Sequence, residues 1–431
     1  VKKGLDSQQL IAADKRHVWH PFTQMLDWCA PEHEPLVLAS GNGAVLRDSE
    51  GREYIDGNSS IWTNLHGHNH PKINAALRDQ LERVAHTSFL GFTNPQAIRL
   101  AEELVGLFAP ETLTRVFFSD NGSTAIEVAI KMVAQYWQLR GEPQRQRFVA
   151  FSNAYHGDTM GASSLGGIGI FHERFSPFQF LVDHVGSIAE LERIAPSQIA
   201  AVAIEPLVQG AAGIRLWPTG MLRELRRWCD ATGVLLIADE VLTGFGRTGT
   251  MFACEQEEVI PDFLALAKGL TGGYMPLAVT LTRETIFAAF LGGFDEQKTF
   301  YYGHSYTANQ LACAAALANL QIFREEKVLE RLRPKISLLT GLLEPLKALP
   351  RVGEVRQCGF LAGIDLVGED GTLLDWKRQT GARVCLAARR HGLLTRPIRD
   401  TIILMPPYCI SDAQLRQAVR ALELAMREVN F

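Results

Sequence analysis

At 431 residues the chain is longer than one ordinary hydrophobic core supports, which predicts a large domain accompanied by a smaller one. Apolar residues make up 47% and charged residues 21%, an ordinary globular composition, and a net charge of −4 with acids and bases interspersed leaves no basic footprint for nucleic acid or an anionic membrane. No apolar run approaches the roughly 20 residues that span a bilayer.

The opening Val1-Lys-Lys-Gly-Leu-Asp6 leads into Gln8-Gln-Leu-Ile-Ala-Ala-Asp14, too short and polar to read as a secretory leader. The seven cysteines are scattered without a CxxC pair, which argues against a disulfide framework or a thiolate zinc site. A reducing cytoplasm is the expected compartment. The first strands are expected around Gly43-Ala-Val-Leu-Arg47 and Glu53-Tyr-Ile-Asp56. Beyond them the apolar runs Val116-Phe-Phe118, Phe148-Val-Ala-Phe151, Ile199-Ala-Ala-Val-Ala-Ile204 and Val234-Leu-Leu-Ile-Ala238 alternate with helical patterns, as in a mainly parallel sheet wrapped by helices. Amphipathic helices follow at 329–349 and 382–391, with strands around Phe360-Leu-Ala-Gly-Ile364 and Ile402-Ile-Leu-Met405. A last helix opens at Ser411, with Gln414 in capping-box spacing. The expectation is therefore an α/β chain in which 60–324 form a large domain and 1–59 with 325–431 form a smaller α+β domain.

Chemistry concentrates at strand ends. The run Gly233-Val-Leu-Leu-Ile-Ala-Asp-Glu240 reads as a central strand, buried on both faces, that delivers Asp239 to the carboxyl edge of the sheet, where open α/β sheets bind ligands. Lys268, in Leu264-Ala-Leu-Ala-Lys-Gly-Leu-Thr-Gly-Gly273, is flanked by apolar residues and a flexible loop; desolvation favours the neutral amine, which can condense with a carbonyl. An anion for a pyridinium nitrogen and an amine for an aldehyde are the two groups that pyridoxal 5'-phosphate requires.

Ser119-Asp-Asn-Gly-Ser-Thr124 precedes a helical stripe at Ala125, Ala129, Met132, Val133 and Tyr136. Alone it is a capped helix; on the same sheet as Asp239 its free N–H groups and positive dipole suit a phosphate. Tyr155, in Tyr155-His-Gly-Asp158, follows the 148–151 strand and is placed to stack on a ring at that edge. Gly244-Phe-Gly-Arg-Thr-Gly249 fits the dinucleotide GxGxxG expression, but Asp-Glu already ends the strand and Thr248-Gly-Thr-Met-Phe252 opens no helix, so nicotinamide or flavin is not expected. His66-Gly-His-Asn-His70 has no HExxH pattern or carboxylate cluster beside it, and reads as loop structure rather than a metal site.

The run Asp239-Glu-Val-Leu-Thr-Gly-Phe-Gly-Arg-Thr-Gly249, followed by Lys268-Gly-Leu-Thr-Gly-Gly273, resembles the signature of the class III pyridoxal phosphate aminotransferases, and the likeness extends from about Arg16 to the C-terminus. Within the class, Arg16-His-Val-Trp-His-Pro-Phe-Thr-Gln-Met25, Ser59-Ser-Ile-Trp-Thr-Asn-Leu-His-Gly-His-Asn-His-Pro71, Lys131-Met-Val-Ala-Gln-Tyr-Trp137 and Leu404-Met-Pro-Pro-Tyr408 resemble the branch that converts 7-keto-8-aminopelargonate to 7,8-diaminopelargonate in biotin synthesis. The resemblance implies fold type I, pyridoxal 5'-phosphate as cofactor, small-molecule substrates exchanged in ping-pong fashion, and a homodimer with composite active sites. It implies that Lys268 bonds the cofactor and shuttles protons, Asp239 holds the pyridinium proton, Tyr155 stacks on the ring, and Gly122 and Ser123 bind the phosphate. Ser305 matches a hydroxyl that a partner subunit lends to the phosphate site. Arg396 matches the arginine that receives the keto acid's carboxylate. Trp62 and Phe22 match positions of the substrate channel.

Three departures qualify that likeness. Gly210, in Glu205-Pro-Leu-Val-Gln-Gly210, stands where 2-oxoglutarate-using relatives carry a glutamate, which argues against that acceptor. Ile61 and Phe22 replace the Trp and Tyr usual in members that take nitrogen from S-adenosylmethionine; this leans the donor towards lysine, with S-adenosylmethionine still open. The stretch from Asp158 to Glu205 is shorter than the family pattern. The competing expectations are another class III ω-aminotransferase acting on a different amine, and a non-catalytic relative of the fold.

Overall fold

Seven strands assemble the central sheet in the computed structural model, which describes residues 6–430. They are β1 (Arg115–Ser119), β2 (Arg147–Phe151), β3 (Val182–Val185), β4 (Ile199–Ile204), β5 (Leu235–Asp239), β6 (Phe263–Leu266) and β7 (Ala278–Thr282), in the order β1-β7-β6-β5-β4-β2-β3. β3, β2, β4, β5 and β6 run parallel, and β7 runs against both β6 and β1. The sheet is thus mainly parallel, with β7 as its antiparallel strand. Every residue of β4, β5 and β6 is buried, as a sheet covered on both faces demands.

Alternation along each strand sorts these side chains into two cores. Leu235 and Ile237 of β5, Ala201 and Ala203 of β4 and Phe263 of β6 share one face with Ile126, Ala129, Val133 and Trp137 of the helix Gly122–Leu139. Trp137 is fixed there by donating Nε1–H to Ala200 O at 2.9 Å. Leu236, Ala238, Val202, Leu264 and Leu266 face the other way, into the larger cluster that includes Leu222, Leu225 and Cys229 of the helix Met221–Thr232.

The two chain ends meet. Strands Leu38–Asn42, Val45–Asp48 and Glu53–Asp56 form an antiparallel sheet completed by Leu393–Leu394, which pairs with Ile55 and Asp56. A second sheet joins Val352–Cys358, Leu361–Leu366, Thr401–Leu404 and Pro397–Ile398. The helix expected over 329–349 divides into Val328–Leu343 and a 3₁₀ turn, Glu344–Ala348; Glu344 keeps helical dihedrals, but Pro345 has no N–H to continue the ladder. The last helix, Asp412–Glu428, carries the Ser411–Gln414 capping box. Among the described residues no helix is long and apolar enough to cross a membrane. Residues 1–5, the start of the segment weighed as a leader, lie outside the described residues, as does Phe431.

Candidate active site

The parallel strands all end on one edge, and there they deliver Asp239 from β5, Glu205 just after β4, Lys268 just after β6, and Tyr155 and His156 after β2. The helix starting at Gly122 follows β1 at the same edge. These residues wall a cavity of about 440 Å³. Of the nine site residues expected from sequence, Trp62, Gly122, Ser123, Tyr155, Asp239 and Lys268 line it.

The acidic pair at the end of β5 divides its work. Asp239 accepts from His156 Nδ1 at 2.8 Å and from Val241 N at 3.0 Å. Glu240 turns away and accepts from the backbone N–H of Ala253 and Cys254, at 2.7 and 2.8 Å. His156 was missed by the sequence reading, although it adjoins Tyr155. Burial opposes its protonation, but the Asp239 hydrogen bond and charge outweigh that and raise its pKa. Its Nε2 is buried without a partner. Glu205 was also missed. Burial pushes its carboxyl up to about 7, with His156 opposing and Asp239 reinforcing. It accepts from Tyr155 N at 3.1 Å and Gly210 N at 2.8 Å.

Burial lowers the pKa of Lys268, against the opposing pull of Asp239 and Glu205. The amine lies 4.8 Å from the centroid of the Trp62 ring. Trp62 is held by an unusual backbone: Ser59, Ser60, Ile61 and Trp62 all have left-handed φ, between 46° and 68°. Such geometry costs about 1–2 kcal/mol per residue and persists only where its surroundings over-determine it. Here the Asp56 carboxylate takes Ser60 N at 3.0 Å and Ser60 Oγ at 2.8 Å, Ser59 Oγ donates to Met405 O, and Trp62 Nε1 donates to Asn58 Oδ1 at 2.8 Å.

On the opposite wall Asn121 caps the helix by accepting from Thr124 N, leaving the Gly122 and Ser123 N–H groups among the orphan donors of the first turn. A Cβ on Gly122 would lie 2.7 Å from Val241 Cγ1, so the close approach requires glycine. Ser123 Oγ accepts from Asp158 N at 3.1 Å. Tyr155 donates its hydroxyl to Asp158 Oδ2 at 2.8 Å, and its ring meets Phe171 edge-on at 5.9 Å and lies near-parallel to His172 at 6.3 Å. A carboxylate, a desolvated amine, an aromatic ring and a helix N-terminus around one cavity match the ring nitrogen, aldehyde, ring face and phosphate of pyridoxal 5'-phosphate.

Three expected residues lie elsewhere. Phe22 is 58% exposed and its ring meets Phe171 edge-on at 5.7 Å, outside the cavity wall. Ser305 is exposed, with its carbonyl accepting from His86 Nε2 at 2.7 Å. Arg396 is exposed between Leu393–Leu394 and Pro397–Ile398. Ile398, two residues on, packs on the same small cluster as Trp62.

The two motifs set aside in the sequence have structural occupations. Arg247 of the GxGxxG stretch is 1% exposed; it donates to Asn64 O and Pro406 O, both at 3.0 Å, and lies over the Tyr408 ring. It ties the loop after β5 to segments near both chain ends. In the histidine cluster, His66 Nε2 meets Asn319 Oδ1 at 2.7 Å and His68 Nε2 meets Asp56 Oδ2 at 2.9 Å. A Cβ on Gly210 would lie 2.2 Å from Leu242 Cδ2, so a side chain there would require Leu242 to shift.

The sequence pattern of the family described as Aminotransferase class-III matches residues 29–426, and the chain belongs to that family. Among its relatives, the adenosylmethionine-8-amino-7-oxononanoate aminotransferase of Geobacter sulfurreducens is 45% identical, with 98% of each chain covered. The crystal structure of the enzyme of that name from Methanocaldococcus jannaschii is 41% identical and superposes with a TM-score of 0.96, covering 99% of this chain and 100% of that one. An amine transaminase from an uncultivated Pseudomonas species, solved with pyridoxal phosphate bound, is 37% identical with a TM-score of 0.88, covering 95% of this chain and 98% of that one.

Proposed function

We propose that this chain transfers an amino group to 8-amino-7-oxononanoate, also called 7-keto-8-aminopelargonate, giving 7,8-diaminopelargonate on the route to biotin. The observation that carries the reading is the convergence of Asp239 and Lys268 on one cavity between a glycine-opened helix N-terminus and Tyr155, in a chain that matches relatives of that name along nearly its whole length.

Pyridoxal 5'-phosphate is the cofactor; when bound it supplies an aldehyde for the amine and a cationic ring that draws electrons from the carbon losing its proton. Lys268, whose amine burial makes easier to deprotonate, would hold the aldehyde and carry the proton at the substrate carbon. Asp239 holds the proton on the ring nitrogen, and His156 orients that carboxylate. Tyr155 supports the ring face, and the N–H groups of Gly122 and Ser123 take the phosphate. Ser305 completes that phosphate site from the partner of a homodimer, which accords with its exposure away from its own chain's cavity. Arg396 receives the substrate carboxylate, and Trp62 with Phe22 borders the channel. In this proposal 60–324 hold the cofactor and the two chain ends, 1–59 and 325–431, form the smaller domain, as the pairing of Leu393 with Ile55 supports. The protein works in the cytoplasm.

The donor is the point on which two observations differ. The relatives carry adenosylmethionine in their names, whereas Ile61 and Phe22 lean towards lysine; Phe22 and Ile61 both lie outside the cavity wall of their own chain. S-adenosylmethionine is therefore the first donor to test and lysine the second. Incubating the holoenzyme and 8-amino-7-oxononanoate with each donor, and weighing the product by mass spectrometry, tests the whole reading. Absence of the diamine with every donor, alongside turnover of another amine, would replace it with a different ω-aminotransferase activity.

A further inference from the structure

Lys268 has a left-handed backbone, φ +42°, and opens the 3₁₀ turn Lys268–Thr271, which runs into Gly272 and Gly273 at φ +63° and +85°. For a lysine that conformation is held against its intrinsic preference, so something outside the loop must maintain it. The nearest restraint is Asn319, fully buried on the helix Gln310–Glu325. Its Nδ2 donates to Gly269 O and Leu270 O, both at 3.0 Å, the two carbonyls directly after the lysine.

The remaining face of that amide is also committed. Asn319 Oδ1 lies 2.7 Å from His66 Nε2. Burial pushes the His66 pKa down to about 4, so at neutral pH the imidazole is uncharged and the contact requires its proton on Nε2. With the oxygen taken by that N–H, the amide nitrogen must face the two carbonyls; the flipped amide would set oxygen against oxygen. The same segment grips the loop elsewhere: Tyr274 donates its hydroxyl to Gly67 O and accepts from His70 N, and a Cβ on Gly273 would lie 2.7 Å from Asn64.

We propose that Asn319 and His66 are positioning residues that hold the Lys268 loop in the geometry from which the amine reaches the cavity, acting on the reaction through the lysine without touching substrate. This rests on the role proposed for Lys268. Neither residue lines the cavity, so a loss of activity in their variants is not a loss of substrate contact.

The test uses full-length protein stripped of cofactor. Apo forms of Asn319→Ala, His66→Leu, His66→Gln and Lys268→Ala are mixed with pyridoxal phosphate, and covalent capture is followed by visible absorbance and by mass after borohydride reduction. Urea unfolding of each apo form is measured in parallel. Asn319→Ala and His66→Leu are expected to slow capture about tenfold or more and to lower kcat with KM moved less than about twofold. His66→Gln, which can still donate to Asn319 Oδ1, is expected to recover most of the capture rate. Capture within about twofold of wild type in both Asn319→Ala and His66→Leu would overturn the proposal, as would a His66→Gln variant no better than His66→Leu. Should Asn319→Ala not fold, the His66 pair decides alone. Capture by Lys268→Ala at the wild-type rate would instead remove the lysine assignment itself.

Discussion

His156 and Asp239, 83 residues apart in the chain, form a buried pair, Nδ1 to Oδ2 at 2.8 Å. The histidine leaves Asp239 one carboxylate oxygen bound by an imidazole and the other by the Val241 N–H, which orients the group at the cavity floor.

Asp239→Asn should therefore retain pyridoxal phosphate yet lose about a hundredfold or more in kcat, because a neutral amide does not hold the ring proton. His156→Ala should cost about 3–5 kcal/mol in unfolding free energy, as for removing one partner of a buried pair. Cofactor absorbance, steady-state rates and urea melts read these outcomes; a near-wild-type rate for Asp239→Asn would mean that the ring is protonated by another group.

Glu205 predicts a pH slope. Its folded pKa of about 7 lies above the ordinary 4.5, so the folded protein binds the extra proton between those values and stability falls as pH rises through that window. The shift corresponds to on the order of 3 kcal/mol. His66, pushed down to about 4, has the opposite slope, gaining stability as pH rises from about 4 to 6.5. The clean measurement is thus the difference between wild type and Glu205→Gln in apo urea melts from pH 4.5 to 7.5: the variant should gain relative stability with rising pH, and a flat difference would count against the buried, protonated carboxyl.

A composite site predicts subunit complementation. Lys268→Ala should fold normally and show no turnover, since only a loop side chain is removed. Ser305→Asp should also be inactive, with a carboxylate set against the phosphate. Mixed and re-associated, the two should recover activity, because one site of each heterodimer then has Lys268 from one chain and Ser305 from the other. If Ser305 served its own chain's site, every mixed site would carry a lesion and the mixture would stay dead.

Arg396→Ala should raise KM for the keto acid strongly while changing the half-reaction with the donor less. Losing one partner of a desolvated charge pair costs about 2–4 kcal/mol of binding. Stopped-flow measurement of the two half-reactions separates them; equal damage to both would leave Arg396 without its carboxylate role.

What could be read from sequence was whatever is encoded locally. An apolar run closed by Asp239 is a buried strand with an acid at its end because periodicity and burial are properties of a few adjacent residues; the same holds for the Gly122 turn and for the lysine between apolar residues and glycines. The structure alone decided the rest, since it depends on which distant segments pack together. β7 runs antiparallel because of where the chain returns, a matter of topology rather than of Ala278-Val-Thr-Leu-Thr282. The His156–Asp239 pair, the Asn319 bonds to the lysine loop and the His66 donor at the far side of that amide join residues dozens to hundreds apart, and no spacing rule reaches so far. Likewise Ser305, Arg396 and Phe22 stand outside the cavity of their own chain, because their placement follows from loop paths over the surface, whereas the six residues that do converge are set at one edge by the hydrogen-bonded register of the strands beneath them.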